Sequence, residues 1–328
     1  MPHSDPRAAA APERLIIATR ESALALWQAR HVQACLTELY PRTTVSLFGM
    51  TTEGDRKLGS SLAKIGGKGL FVKELEDALA DGRADIAVHS LKDVPMHLPE
   101  GFTLGAILDR ADPRDAFVSN KFDALAALPP GARVGTSSLR RESQLRAGFP
   151  HLQIGALRGN VQTRLCKLDD GEFDAIILAA AGLQRLGLEA RITAVLTPEA
   201  MLPAVGQGAL AVECRADRAD VLALLKPLHH ATTAQCVLAE RALSRALAGS
   251  CNVPLGGFAE VFSDGIAAVS AGRLRLRGYV GAPDGTRHVS AEIEGAAADA
   301  ETLGHVLAQQ LKDLGALKIL AALDANPP

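Results

Sequence analysis

Residues 85–95 read DIAVHSLKDVP, an apolar run of strand length that ends in the charged pair Lys92 and Asp93 before Val94 and Pro95. A short apolar run bounded by turn residues predicts a buried strand in an open α/β sheet. Ligands of such sheets bind at the carboxyl ends of the strands, so Lys92 and Asp93 are candidates for a functional site. Asp is also a common turn former before Pro, and this stretch taken alone favours the turn interpretation.

Length and composition describe an ordinary globular chain. Its 328 residues are enough for two or three domains, and 48% hydrophobic with 22% charged residues is a typical balance. No segment approaches the ~20 apolar residues of a membrane span, and residues 1–13 lack a signal-peptide core, so we expect a cytoplasmic protein with a disordered N-terminus. With 35 basic against 37 acidic residues and 4% aromatics, we expect no nucleic-acid surface.

The five cysteines are scattered and share no C-x-x-C spacing, which argues against a disulfide framework and a zinc site. Cys35, Cys166 and Cys236 fall within predicted helices and Cys214 at a strand end, where we expect buried positions. Cys251 differs, because it lies in a Gly/Ser/Asn/Pro turn directly after a predicted helix. An exposed thiol there fits a nucleophilic or covalently modified cysteine at least as well as one without a function.

An arginine-rich segment extends from Gly131 to Leu165. It holds six arginines, no lysine and one acid, Glu142, so six minus one gives a local charge of +5. Arginine binds carboxylate and phosphate groups through a planar fork, whereas a solvated helix face usually mixes Lys with Glu. The segment therefore predicts a site for a small molecule rich in oxyanions. Its arginines are 133, 140, 141, 146, 158 and 164.

Two α/β units repeat one local plan, in which a strand is followed by hydroxyl residues, an arginine and a helix. Helix N-termini present free backbone N–H groups and a positive dipole end, so the repeat predicts a cleft with anion donors on both walls. Ser22 is equally suited to be a simple N-cap, and the two roles are compatible. The residues are Arg20 and Ser22 in the first unit and Thr136, Ser138, Arg140 and Arg141 in the second.

The order of predicted elements divides the chain into three domains. A strand after residue 203 is expected to rejoin the first sheet, which makes domain 1 discontinuous, with residues 14–108 plus 204–227. Residues 109–203 form domain 2 with the arginine-rich wall, and residues 228–328 form a smaller α/β domain 3. Residues 51–69 predict a long loop of the kind that often acts as a lid. Its GGKG stretch lacks the spacing and hydroxyl residue of a nucleotide-binding loop.

Nine motifs together resemble those of the porphobilinogen deaminase family, in the family's order and over nearly the whole chain. The resemblance implies an α/β monomer of three domains. The first two are like type II periplasmic binding proteins around a cleft, and the third is a small α/β domain. The motifs are IATRESALALWQA, KIGGKGLFVKELE, DIAVHSLKDVP, DPRDAFVS, VGTSSLRRESQL, LRGNVQTRL, DAIILAAAGLQRLGL, LPAVGQGA and GSCNVPLGG.

The same resemblance implies a transferase of tetrapyrrole and heme biosynthesis. The family, also called hydroxymethylbilane synthase, condenses four porphobilinogens head to tail, releases ammonia each time and frees the linear product hydroxymethylbilane by hydrolysis. It uses a dipyrromethane cofactor in thioether linkage to a cysteine, which by motif is Cys251, and no metal. Asp93 matches the catalytic aspartate, whose fixed carboxylate would stabilise the cation left by loss of ammonia.

The resemblance also assigns roles to further positions, several of which the residue patterns above already single out. We expect Arg140 and Arg141 to lie nearest the cofactor, and Arg20, Arg158, Arg164 and Arg185 to handle later pyrroles. The family's mobile active-site loop matches Lys64, Lys68 and Phe71. The positions that hold carboxylate side chains or the growing chain match Arg20, Ser22, Lys92, Thr136, Ser138, Arg140, Arg141, Arg158, Arg164, Arg185 and Gln207.

Two other classes of protein share parts of this pattern. A non-catalytic two-lobed protein that binds a carboxylate-rich small molecule would have the same design, but it would have no use for Cys251 and would need an export signal. A nucleotide-phosphate enzyme would need a true phosphate loop or clustered metal-binding carboxylates, and the sequence has neither. His89 and the pair His229 and His230 are expected to be packed or solvated rather than catalytic.

Overall fold

The computed structural model describes residues 11–52, 72–247, 253–262 and 272–325, and within these ranges the chain forms three β-sheets covered by helices. The strands are β1 Arg14–Arg20, β2 Thr44–Met50, β3 Ile86–Ser90, β4 Phe102–Ile107, β5 Asp115–Val118, β6 Arg133–Gly135, β7 Gln153–Gly155, β8 Ala175–Ala179, β9 Ala194–Leu196, β10 Leu210–Arg215, β11 Leu255–Phe262, β12 Arg273–Gly281 and β13 His288–Ala296. The α-helices are α1 Ala23–Leu39, α2 Lys73–Ala80, α3 Leu139–Gly148, α4 Val161–Asp169, α5 Ala180–Arg185, α6 Ala219–Leu225, α7 Ala231–Ala246, α8 Ala300–Asp313 and α9 Ala316–Ala325.

The first sheet has the strand order β2–β1–β3–β10–β4. β1 is parallel to β2 and β3, whereas β10 is antiparallel to β3 and β4. The inner strands are continuous apolar runs, and Ile17, Ile86 and Val212 have no exposed surface. Such runs are typical of strands that helices cover on both faces. α1 adds Val32 and Leu36 to the same core, at the four-residue spacing of one helix face.

The second sheet has the order β7–β6–β8–β5–β9 and repeats the plan of the first. β6 is parallel to β7 and β8, and β5 is antiparallel to β8 and β9. β5 is buried along its whole length, from Asp115 to Val118. The polar first residue of such a strand therefore needs partners inside the protein.

Two crossing segments, residues 108–114 and 197–209, join the sheets: the first leads from β4 to β5 and the second from β9 back to β10. They contact each other, and the Ala111 N–H donates to the Gly208 carbonyl at 3.2 Å. Gly208 has φ +89°, and a Cβ there would lie 2.4 Å from the Ala111 carbonyl oxygen. Only glycine allows this approach of the two segments without a backbone shift.

The third sheet is an antiparallel meander in the order β11–β12–β13. α7 and α8 pack on it, and the core includes Leu243, Leu276 and Leu307, all without exposed surface. Glu240 of α7 joins this unit to the crossing segments. Its carboxylate lies 2.6 Å from Nη1 of Arg110, and it also accepts the Gly206 N–H at 2.7 Å.

The α/β fold class is confirmed, but several details differ from the sequence predictions. Cys166 was predicted to be buried and is exposed. On α4 the buried residues are Leu165 and Leu168, and one residue beyond Leu165 the helix has turned by about 100°, away from the core. Cys35 is only partly buried, whereas Cys214 and Cys236 are buried.

Two element bounds are also shorter than expected. The apolar run at residues 152–157 predicts a strand, which covers only Gln153–Gly155, and the pattern from residue 71 predicts a helix, which begins at Lys73. In the described ranges, no helix has the length and apolar character needed to cross a membrane.

Candidate active site

Lys92 and Asp93 lie in a turn of 3-10 helix, Leu91–Asp93, directly after β3. The apolar neighbours fix this turn, because Leu91 and Val94 are buried and the Val94 N–H donates to the Leu91 carbonyl at 3.1 Å. Asp93 is exposed, so its carboxylate faces solvent at the end of the strand. Burial lowers the pKa of the Lys92 ammonium to about 8, although the neighbouring Asp93 carboxylate opposes the shift.

Asp115, the first residue of β5, binds two arginines from the start of α3. Its Oδ1 accepts from Arg141 Nε at 3.1 Å and Nη2 at 2.8 Å, and its Oδ2 lies 2.8 Å from Arg140 Nη1. Burial by itself would raise the pKa of the Asp115 carboxyl, but the two guanidinium groups hold it well below its usual range. Arg140 and Arg141 are thus fixed around a buried counter-ion that the sequence analysis did not identify.

Backbone carbonyls also hold the side chains of Arg140 and Arg141 in place. Arg140 Nη1 donates to the Leu202 carbonyl at 2.6 Å, and Arg141 Nη1 donates to the Ile177 carbonyl at 2.9 Å. Nε of Arg140 is buried and has no acceptor among the residues that the structure describes. An unpaired buried donor costs about 1–3 kcal/mol, so this nitrogen is a candidate partner for a ligand oxygen.

Six charged groups influence one another around the end of β3. Burial, together with Arg141, lowers the pKa of Arg164 to about 10, and Asp93 opposes that shift. For Lys92, burial and the cations Arg141 and Arg140 likewise lower the pKa, while the anions Asp93 and Asp115 oppose the shift. Four cations against two anions leave a net charge of +2, which favours carboxylate ligands. The six groups are Lys92, Asp93, Asp115, Arg140, Arg141 and Arg164.

Gln207, on the second crossing segment, connects this cluster to both sheets. Its Nε2 donates to the Pro113 carbonyl at 2.7 Å and to Asp115 Oδ1 at 2.9 Å, and its Oε1 accepts from Lys92 Nζ at 3.4 Å. Next to it, the Gly208 carbonyl accepts from Arg185 Nη2 at 2.7 Å. The crossing segment therefore places Gln207 in the cluster, and Arg185, at the end of α5, contacts the residue next to it.

Hydroxyl and amide residues begin the helices on both sides, as their cap positions require. Ser22 Oγ accepts the Ala25 N–H of α1 at 3.3 Å, and Arg20 is the last residue of β1. Ser138 Oγ accepts the Arg141 N–H of α3 at 3.5 Å.

Thr136 and Gln28 complete the polar contacts at these helix starts. Thr136 Oγ1 accepts the Ser138 N–H at 3.2 Å. Gln28, which the sequence analysis missed, donates to Ser90 Oγ at the end of β3 at 2.7 Å. Its signal was a polar residue on the buried face of a predicted amphipathic helix.

Arg158 and Arg164 lie on either side of the start of α4. Gly159, with φ +114°, turns the chain between them, and its carbonyl accepts from Arg164 Nε at 2.8 Å. Asn160 caps the helix by accepting the Thr163 N–H at 2.9 Å. This local geometry holds the Arg164 side chain across the first turn of its own helix.

The remaining predicted residues give a mixed result. Lys64, Lys68, Phe71 and Cys251 lie outside the described residues. His89 is buried and contacts Glu213 at 2.9 Å inside the first sheet.

His229, His230, Cys214 and Cys236 have structural rather than catalytic roles. His229 accepts the Ile107 N–H at 3.4 Å, and His230 caps α7 through the Thr233 N–H at 3.3 Å. Burial raises the pKa of both Cys214 and Cys236 to about 11, which keeps them as unreactive thiols. Across the part of the chain that the structure describes, no group of three or more His, Cys, Asp or Glu side chains could hold a metal ion.

Comparison with known proteins identifies close relatives. Residues 15–223 match the family model for the porphobilinogen deaminase dipyromethane cofactor binding domain, and residues 234–313 match the model for the porphobilinogen deaminase C-terminal domain. Porphobilinogen deaminase of Nitrosomonas europaea is 62% identical over 312 residues, 95% of this chain and 99% of the relative. The enzyme of the same name from Ralstonia nicotianae is 63% identical over 326 residues, 98% of this chain and 96% of the relative.

Similar solved structures have much lower sequence identity. A methionine-binding lipoprotein from Bacillus subtilis is 14% identical with a TM-score of 0.42, over 66% of this chain and 91% of that chain. The aliphatic sulphonate binding protein SsuA of Escherichia coli is 16% identical with a TM-score of 0.38, over 72% of this chain and 71% of that chain.

Proposed function

Because the chain belongs to the porphobilinogen deaminase family, we propose that it condenses four porphobilinogens head to tail and releases ammonia at each step. Hydrolysis then releases the linear tetrapyrrole from the cofactor and supplies its hydroxyl group, so the product is hydroxymethylbilane and the chain is a hydroxymethylbilane synthase. The observation that supports this most strongly is the cluster at the end of β3, where exposed Asp93 belongs to a group of six charged side chains whose net charge is +2. A non-catalytic binding protein would share the fold but would not need Asp93 or Cys251.

Asp93 is the catalytic residue of this proposal. In porphobilinogen the aminomethyl nitrogen is protonated; its bond to the methylene carbon breaks, ammonia leaves with the electron pair, and the positive charge spreads from the methylene carbon onto the pyrrole nitrogen. The Asp93 carboxylate near that N–H stabilises the charge as it develops. A new carbon–carbon bond then forms with the free α-position of the growing chain, which loses its proton.

The cations near Asp93 bind the carboxylates of the pyrroles. Six pyrroles, two in the cofactor and four from substrate, each carry two carboxylates, which a cleft could not take up without compensating charge. Arg140 and Arg141 are fixed by Asp115 and by carbonyl groups. Their forks are therefore oriented before any ligand arrives, and less entropy is lost on binding.

The dipyrromethane cofactor fits this arrangement. The unpaired buried Nε of Arg140 and the +2 charge match a group with four carboxylates. Arg140, Arg141, Lys92 and Ser138 would hold it, and Cys251 would carry it through a thioether bond. When bound, the cofactor supplies the pyrrole α-position to which the first substrate is joined.

The arginines divide the work in this proposal. Arg140 and Arg141 serve cofactor loading, whereas Arg20, Arg158, Arg164 and Arg185 serve later pyrroles. Leu substitution in the first pair should give mostly apo protein by native mass spectrometry, and in the second set holo protein stalled with a partial chain. Substitution by Lys keeps the charge but loses the fork, and should give a weaker form of each defect. Identical ladders of intermediates for all variants would contradict this division.

The decisive experiment combines activity with intact mass. The purified protein should convert porphobilinogen to hydroxymethylbilane with release of ammonia, and should weigh more than its sequence by one dipyrromethane that survives denaturation. Cys251→Ser should lose both the adduct and the activity, while Cys35→Ser keeps both. Absence of product would refute the proposed function, and a fully active protein without the adduct would refute the role of Cys251. We further propose a cytoplasmic monomer, on the basis of the family alone, which size-exclusion chromatography and cell fractionation would test.

A further inference from the structure

A separate cavity of about 450 Å³, open to solvent, lies where the first nine residues of α1 meet the end of α5. Ala23, which directly follows the helix cap Ser22, lines one side of it, and Arg185 and Leu186 line the other. Its volume is within the range of roughly 300–1,000 Å³ that is usual for small-molecule sites. The lining residues are Ala23, Trp27, Arg30, His31, Arg185 and Leu186.

An aromatic wall forms one side of this cavity. Trp27 and His31 are four residues apart on α1, and their rings stack with centroids 5.3 Å apart and planes 9° apart. Trp27 is 36% exposed, which is unusual for the largest apolar side chain at a helix position. Partial desolvation and the nearby Arg185 lower the pKa of the exposed His31 ring, which favours its uncharged form at neutral pH. A flat ring of a ligand can pack against such a wall.

The charges of the lining select for anions. Among the described residues that line it, Arg30 and Arg185 are charged and none is a carboxylate, so these residues give the cavity a charge of +2 at neutral pH. A second cavity, of about 410 Å³, offers a contrast within the same protein. Its described lining residues include three acids and Arg83, a net charge of −2 that would repel the same ligand.

Arg185 connects the cavity to the candidate active site. Its guanidinium carbon lies 5.8 Å from the centre of the Trp27 ring, and its Nη2 donates to the Gly208 carbonyl at 2.7 Å. The adjacent Gln207 contacts Lys92 and Asp115. A guanidinium has five N–H donors, so one bond to a carbonyl leaves donors for an anion.

We propose that this cavity, which we call the Trp27 site, is a waiting site for the next porphobilinogen. The pyrrole ring packs against Trp27 and His31, and its two carboxylates pair with Arg30 and Arg185. Arg185 then passes the molecule towards Asp93, since it lines this cavity and donates to Gly208, whose neighbour Gln207 contacts Lys92. The inference rests on the proposed function only in taking porphobilinogen as the ligand. It adds Trp27, Arg30 and His31 to the residues that determine how fast substrate is captured.

Trp27 is the single tryptophan of the chain, so its fluorescence reports on this site alone. Porphobilinogen mixed rapidly with wild-type holoenzyme should quench the emission in a saturable manner before the first turnover. Arg30→Gln removes one exposed ion pair, so the midpoint of this titration should rise and kcat/KM should fall by about two- to fivefold. Arg287→Gln removes an exposed arginine in the third unit and should leave both measurements unchanged. Because Arg30 is exposed, its substitution should not affect folding.

The proposal is overturned if Arg30→Gln titrates like the wild type or keeps the wild-type kcat/KM. It is also overturned if Arg287→Gln changes the titration midpoint and kcat/KM as much as Arg30→Gln does. Failure of the proposed function looks different, because the wild type would then form no hydroxymethylbilane at any concentration of porphobilinogen. If the wild type forms product and Arg30→Gln behaves like the wild type, the Trp27 site is refuted and the proposed function is not.

Discussion

Replacing the buried counter-ion by an uncharged isostere, Asp115→Asn, should destabilise the protein strongly. Asp115 has no exposed surface and lies within 3.1 Å of nitrogens of Arg140, Arg141 and Gln207. Removal of one partner of a buried ion pair usually costs ~3–5 kcal/mol, because the remaining charge stays buried without compensation. Here two guanidinium groups lose their anion, so we expect the upper part of that range.

The matched control is Asp112→Asn, three residues earlier on the crossing segment. Asp112 binds Arg114 at 2.7 Å, but the Arg114 side chain is 43% exposed. Water can replace that partner, so the cost should be below about 1 kcal/mol. Thermal unfolding of the two variants measures the difference, since 1 kcal/mol corresponds to roughly 2–4 °C for domains of this size. We expect Asp115→Asn to unfold roughly 10 °C below Asp112→Asn.

The acid dependence should follow from the same contact. The pKa of Asp115 is lowered in the folded state, so its contribution to stability is complete above about pH 4 and is lost as the pH falls towards the folded-state pKa. The gap between wild type and Asp115→Asn should therefore narrow below about pH 4. The gap should also be larger in the Cys251→Ser background, where no cofactor carboxylates are present to replace the lost charge. An Asp115→Asn protein as stable as Asp112→Asn would refute the counter-ion role.

Three further predictions concern the turn, the ammonium group and the crossing segments. Asp93→Asn should slow turnover by about a hundredfold or more with little change in melting temperature, whereas a loss of stability with activity per folded molecule retained would favour the turn interpretation. Since Lys92 has a pKa of about 8, its ammonium is charged below that pH and neutral above it. KM for porphobilinogen should therefore rise as the pH passes 8, and Lys92→Gln should abolish this rise. Gly208→Ala should lower the free energy of unfolding, measured by chemical denaturation, by ~2–4 kcal/mol, because its Cβ would lie 2.4 Å from a carbonyl oxygen. Gly171→Ala is the control: Gly171 has φ +78° and nothing within 4 Å of a Cβ, so the cost should be only about 1 kcal/mol.

Local patterns in the sequence were sufficient to locate the turn after β3. A strand ending in a charged pair depends on neighbouring residues only, so the position of Lys92 and Asp93 could be predicted. The helix caps Ser22 and Ser138 follow from the same kind of short-range pattern.

Asp115 could not be found in this way. It lies outside the +5 segment, and its contact with Arg140 and Arg141 arises only because β5 enters the second sheet between β8 and β9. An antiparallel strand inserted from a distant part of the chain leaves no local signal. Cys166 shows a second limit of local patterns. The helix is correctly predicted, but a residue next to its apolar stripe can still be exposed, and Cys166 is.

The position of β10 in the first sheet also has a consequence for synthesis on the ribosome. β10 separates β3 from β4, yet residue 210 follows the end of β4 at residue 107 by 103 positions, since 210 minus 107 is 103. At roughly 5–20 residues per second, the first sheet stays incomplete for about 5–20 s after β4 has been made. All strands of the second sheet, from β5 to β9, are synthesised within that interval. The nascent chain can therefore complete its second sheet before its first, while the inner edges of β3 and β4 still await the strand that will close the gap between them.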